Sequence, residues 1–203
     1  MPPVVVDPKL IKAFRDEAAF ETWLSKHHAS RSELWVRMYK KATGVPSINW
    51  QQAVDVALCW GWIDGLRKSY DEESFLQRYT PRRARSIWSQ INRDNVARLI
   101  AAGRMTPHGL KHVDAAKEDG RWDAAYAPIR SASQDSIPDD LRAAIEANPR
   151  ARKAFATVNR TMLFALAFRT NNMKTPAGRA RKIAELVTML AGQATSVAGP
   201  KQR

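Results

Sequence analysis

The sequence predicts an α+β fold: a small antiparallel β-sheet packed with helices, followed by a helical C-terminal bundle. Three observations predict it. Leu34–Lys40 puts Leu34, Val36 and Met38 on one face and Trp35, Arg37 and Tyr39 on the other, the period of a strand, and Ile63–Tyr70 and Phe75–Tyr79 read as two more strands joined by a turn. Every later periodic stretch repeats at three and four residues, the period of a helix. The chain has 203 residues, 44% hydrophobic and 26% charged, which is enough to bury a core and too apolar for disorder. The expected organisation is an α+β domain over 8–126, a Pro/Ser-rich linker over 127–137, a basic helical domain over 138–192 and a disordered tail over 193–203.

Asp7-Pro8 reads as a first helix start, since proline suits the first helical position. Asp16 offers a second, from which Phe20, Trp23 and Leu24 form an apolar stripe ending near His28. His27 and His28 then sit where an imidazolium favours the helix dipole. Leu34–Lys40 is a strand, and Lys41–Ser47 is a loop by its glycine and proline. Asn49 and Gln52 have capping-box spacing, so a helix runs from Trp50 to about Trp60. Gly61 suits the left-handed end of that helix. Asp71-Glu72-Glu73-Ser74 joins the next two strands as a hairpin turn, giving three strands in all. A helix from Trp88 or Asn92 to Ala102 stops at Gly103. Thr106-Pro107 starts another, which carries Leu110, Val113 and Ala116 inward and ends at Gly120. Ser136 caps a helix over Pro138–Ala147, a second runs from Pro149 to about Arg169, and a third from about Thr175 to Leu190.

The net charge is +13 and unevenly placed. Residues 1–75 hold 10 Lys/Arg and 10 Asp/Glu, whereas 76–203 hold 23 and 10. Residues 147–203 hold 11 basic groups against one acid, Glu185. Such asymmetry points to a polyanionic partner, nucleic acid among them, or to an acidic protein surface. No apolar run is long enough to span a bilayer. The single cysteine rules out an internal disulfide framework, and the first residues lack the pattern of a signal peptide. A cytoplasmic location is the expectation.

The chemistry concentrates in residues 59–92. Arg82, Arg83 and Arg85 follow a strand and precede a helix, an arrangement that suits phosphate or carboxylate. Ser86, Ser89 and Asn92 add neutral donors, and Trp88 adds a face for stacking a base or an Arg. The competing role for these arginines is to pair with Asp64, Asp71, Glu72 and Glu73. Trp62, Asp64, Arg67 and Lys68 complete the expected anion site, and Arg179, Arg181 and Lys182 form a second basic stretch at a helix start. Arg179 alternatively bonds to carbonyls of the preceding helix. Asp64 beside Trp62 also suits a small-ligand or acid–base pocket. Cys59 reads as a buried hydrophobe. His108 and His112 have metal-ligand spacing, but Gly109 stands where the HExxH glutamate belongs. No catalytic residue, cofactor or metal set is expected, and no P-loop, GxGxxG or GxSxG occurs.

Taken together, the motifs resemble the YdeI/OmpD-associated, or bacteriocin-protection, family from about Phe14 to Leu190. The residues that carry this are Trp23-Leu24, Leu34-Trp35, Ala57-Leu58-Cys59, Gly61-Trp62-Ile63-Asp64-Gly65, Leu76-Gln77-Arg78 and Thr80-Pro81-Arg82-Arg83. They continue through Trp88-Ser89, Asn92, Gly103-Arg104-Met105, Gly120-Arg121-Trp122, Ala125-Tyr126 and Arg179-Ala180-Arg181-Lys182-Ile183. The chain departs at Gln52, where the family usually has Glu, and at Gly178, where it usually has Thr. The resemblance implies a protective or stress-related role without an agreed reaction. A periplasmic location sometimes attached to the family is not expected here. The leading expectation is a non-enzymatic polyanion-binding protein. The alternatives are a small-ligand protein or enzyme around Asp64, and a module that binds a protein partner.

Overall fold

A computed structural model describes residues 4–196. The chain divides into two compact units, residues 1–125 and 126–203. Among the described residues, no helix is long and apolar enough to cross a membrane.

The first unit contains β1 (Ile11–Ala13), α1 (Glu17–His27), β2 (Leu34–Tyr39), α2 (Trp50–Cys59), β3 (Trp62–Ser69), β4 (Ser74–Pro81), α3 (Gln90–Ala101) and α4 (Pro107–Glu118). The sheet has four strands in the order β1-β2-β4-β3, one more than the sequence predicts. The extra strand, β1, pairs parallel to β2, with Ile11 opposite Trp35. Asp7 does cap a turn, accepting from Lys9 N–H at 2.9 Å, but only a 3-10 turn over Pro8–Leu10 follows. The expected hairpin is β3–β4.

On the core face lie Leu34, Val36 and Met38 opposite Tyr79, Gln77 and Phe75. Trp62 and Asp64 share that face, because Asp64 pairs with Tyr79 and side chains alternate. The register slips between Asp64 and Arg67, a bulge at Gly65 and Leu66. Gln77, 2% exposed, donates to the Gly65 carbonyl at 2.9 Å and satisfies a group the bulge releases from the ladder.

Seven consecutive residues of α2, Ala53 to Cys59, are buried. A helix covered on every side belongs at the centre of its unit. One side packs on α1 and the sheet through Ala53, Val56 and Ala57. The other packs on α3 and α4 through Val54, Leu58 and Cys59. Its start is the capping box that the sequence predicts, with Asn49 and Gln52 bonding reciprocally. Its end is Gly61 at φ 72°. The start of α4 then closes on it: the Thr106 hydroxyl donates to the Cys59 carbonyl. Gly109 lies so near that a Cβ there would meet the Cys59 carbonyl oxygen at 2.4 Å. The position that would hold the glutamate of a zinc helix is thus a contact that only glycine satisfies.

The second unit contains α5 (Asp139–Glu146), α6 (Pro149–Phe155), α7 (Arg160–Asn171) and α8 (Pro176–Ser196). Its core is largely aliphatic, with Leu141, Ile145, Leu166 and Leu190 fully buried around Phe155. The long helix expected over Pro149–Arg169 is two helices. Asn159 caps the second by accepting from Met162 N–H at 2.9 Å. Residues 127–137 carry two 3-10 turns, Ile129–Ser131 and Gln134–Ser136, and Ile137 is buried in the bundle core. Ser136 belongs to the second turn, and no side chain caps α5. α8 continues through residues 193–196, where the sequence predicts the start of a disordered tail, and the rest of that tail lies outside the described residues.

Candidate functional site

The loop from Arg82 to Ser89 is where the sequence concentrates its basic and aromatic residues. Arg82 N–H donates to the Gly61 carbonyl at 2.8 Å, which ties the loop to the α2–β3 junction. The Arg82 side chain turns inward and is 4% exposed. It donates to the Ile87 carbonyl at 3.0 Å and lies 3.7 Å over the Trp88 ring. Trp88 is itself 2% exposed and packs edge-on against Trp122, so its face is not open to a base. Arg82 and Trp88, both expected in the anion site, are buried and form the inner brace of the loop, with Trp88 stacking an arginine.

Arg121 supplies a second brace, donating to the Ser86 carbonyl at 2.8 Å. Nothing in its local sequence marks that role, because its partner lies 35 positions away. Ser86 Oγ accepts from Arg83 N–H, and Ser89 Oγ caps α3 by accepting from Asn92 N–H, each at 3.1 Å. Ser86, Ser89 and Asn92 therefore hold local structure. What the loop presents outward is Arg83 and Arg85, both exposed. Neither forms an ion pair among the described residues. Of the carboxylates that compete for them, Asp71 pairs with Arg37 at 2.7 Å, and Asp64 feels the Arg82 charge.

Asp64 stands opposite Tyr79 on the core face. Burial pushes its carboxyl above the ordinary value of 3.8, and hydrogen bonding from Trp50 and the Arg82 charge offset only part of this. The Tyr79 hydroxyl is buried without a hydrogen-bond partner among the described residues. Burial, and then the Asp64 charge, push it upward too. Trp62 is core, its indole donating to the His28 carbonyl at 3.2 Å. Arg67 lies 3.7 Å over Phe75, and Lys68 donates to the Val4 carbonyl.

His108 and His112 each make ring or packing contacts of their own. His108 sits 4.0 Å from the His28 ring and stacks on Trp60, while His112 lies against Gly61. Burial, and then the Arg82 charge, lower the His112 pKa. No cluster of three His, Cys, Asp or Glu side chains suited to a metal occurs among the described residues. Cys59 is buried, and that burial pushes its thiol up to about 11.

In the second unit, Arg179 clasps Asp140 with two nitrogens and donates to the Thr170 carbonyl at 2.9 Å. It links α8 to α5 and caps α7, the structural alternative the sequence left open. Lys182 pairs with Glu185. Arg181 is exposed, as are Arg150, Arg152, Lys153, Arg160, Arg169 and Lys174. None of these seven forms an ion pair among the described residues.

Comparison with known proteins matches two separate stretches. Residues 12–112 match a domain of unknown function (DUF8412). Most of the motif residues behind the resemblance, from Trp23 to Met105, fall within it. No curated protein and no solved structure matches. The chain matches the bacteriocin-protection, YdeI or OmpD-associated family over residues 136–192, the described bundle of the second unit.

Proposed function

We propose that the protein is a non-enzymatic, protection-type protein of the cytoplasm that binds a polyanion, nucleic acid being the first candidate. One observation carries the proposal: on a folded frame, exposed cations form no ion pair among the described residues. The braced loop holds out Arg83 and Arg85, and the bundle holds out seven more cations between Arg150 and Arg181. Guanidinium groups that are presented but unpaired suit phosphate. Arg82 and Trp88 support the loop and do not touch the ligand.

The test is binding of fluorescent single- and double-stranded DNA and RNA across a salt series. Micromolar or tighter binding at physiological salt is expected, with a slope of several units in log K against log salt. R83A/R85A is expected to flatten the slope on duplex DNA by about 0.9 for each phosphate that is no longer neutralised. An unchanged slope removes the loop from the site, and binding confined to low salt removes the function.

A second reading is favoured by the half-buried Asp64 carboxyl beside the Tyr79 hydroxyl, which has no hydrogen-bond partner among the described residues. It is a small-ligand or acid–base pocket. A screen of small anions by thermal shift, repeated on Asp64→Asn, separates it from the first.

A further inference from the structure

We propose that the cleft between β1, the end of α1 and the start of β2 binds a small, multiply charged phosphate ligand. The cleft measures about 220 Å³ and is lined by Lys9, Lys12, His27, Arg31, Glu33 and Trp23, together with two leucines. None of these residues belongs to the anion site expected from the sequence.

Charge is the first argument. Lys9, Lys12 and Arg31 form no ion pair among the described residues. Glu33, the one acid, is already engaged: one oxygen accepts from the Trp35 indole and the other from Arg78 at 2.9 Å. The Arg78 hydrogen bond holds the Glu33 carboxyl below its ordinary value, so its charge is answered from outside the cleft. Three cations thus face a concave space without compensation. A cleft lined by one sign of charge concentrates its field and gathers counter-ions.

Shape is the second argument. A volume of about 220 Å³ falls below the roughly 300 Å³ at which drug-sized ligands begin. It equals several water molecules at about 30 Å³ each, room for a phosphate with a short organic remainder or a second phosphate. Trp23 is a firm wall, packed edge-on against Trp62 and tilted against Phe14. His27 is held 4.8 Å from the Trp23 ring. The backbone N–H groups of Ser30 and Arg31 both donate to the His27 carbonyl, which positions Arg31 and neutralises that carbonyl. The fork of Arg31 matches phosphate geometry, and the two lysines add point charges.

The test is isothermal titration calorimetry of the full chain with inorganic pyrophosphate at fixed ionic strength. Saturable binding of one pyrophosphate is expected. K12M/R31M, at exposed positions, is expected to weaken it by about ten-fold or more, since two charge-assisted hydrogen bonds are removed, with an unchanged thermal melt. Arg31→Lys keeps the charge but gives up the fork, and is expected to weaken binding several-fold. R83A/R85A is expected to bind like the unmodified protein, which separates this site from the polyanion surface. The proposal is overturned if no saturable binding occurs or if K12M/R31M binds as well as the unmodified protein. Abolished binding in R83A/R85A instead also overturns it, and citrate binding more tightly than pyrophosphate overturns the phosphate assignment.

Discussion

The two units handle charge and aromatic rings in opposite ways. The first holds 20 Lys/Arg and 15 Asp/Glu, the second 13 and 5. Described ion pairs number seven in the first, from Arg15–Asp16 to Arg121–Asp119, and two in the second. All seven tryptophans lie between Trp23 and Trp122, while the second unit packs on leucine, isoleucine and phenylalanine. In the first unit, then, most arginines are building material, bonded to carboxylates, carbonyls or indole faces. In the second, most cations are left for water or a partner. Position in the fold, and not local density of arginine, separates a structural cation from an available one.

The strongest way to break this contrast is through the aromatic core. Trp62→Ala is expected to cost about 3–5 kcal/mol, read as a lower denaturant midpoint; a cost below about 1 kcal/mol would mean that the indole is not structural. Gly109→Ala is expected to cost about 1–3 kcal/mol by forcing α4 off the end of α2, checked by the same titration. Arg98→Ala tests whether charge in the first unit is structural. Arg98 Nη2 reaches both oxygens of Asp55 at 2.7 Å, and Asp55 is 5% exposed. Removing the guanidinium is expected to cost about 1–3 kcal/mol, because the buried carboxylate loses its charge partner and keeps only the hydrogen bond from Gln51.

A smaller change, of opposite sign, is expected from Asp64→Asn. The folded carboxyl holds its proton more tightly than the unfolded one, so stability is lost as pH rises above 3.8 through the raised value. The variant is expected to melt higher than the unmodified protein at neutral pH, with the gap closing as pH falls. A constant gap would assign the effect to hydrogen bonding instead. Least of all, Arg181→Ala in the second unit is expected to move stability by no more than about 0.5 kcal/mol while weakening nucleic-acid binding. A large drop in stability there would erase the contrast between the units.

Much of the fold was legible in the sequence because local chemistry announces it. Asn49 with Gln52, Thr106 with Pro107, Gly61, and the Asp71–Ser74 turn act on their own neighbours. β1 was not legible, because three residues show no period and their partner β2 is 24 positions away. The break at Asn159 was hidden because Phe155, Val158, Met162, Leu163 and Leu166 keep helical spacing across it. At the site, the sequence collected the right stretch but not its inside and outside. Arg82, Arg83 and Arg85 differ only in what the fold brings to them, and the brace at Arg121 comes from a distant helix end. The basic cleft was invisible for the same reason, since Lys9, Lys12, His27 and Arg31 are spread over separate elements and the turns between them.

The bulge at Gly65 and Leu66 has a consequence for how copies of this chain behave at high concentration. β3 is an edge strand, and an edge strand offers its free backbone groups to any strand that approaches. The bulge breaks the flat ladder a neighbour would need, and Arg67 and Lys68 put like charges on both approaching edges. The irregularity that follows Asp64 also guards the sheet against growing by edge-to-edge association. A variant that removes the extra residue would straighten the strand and open the protein to aggregation.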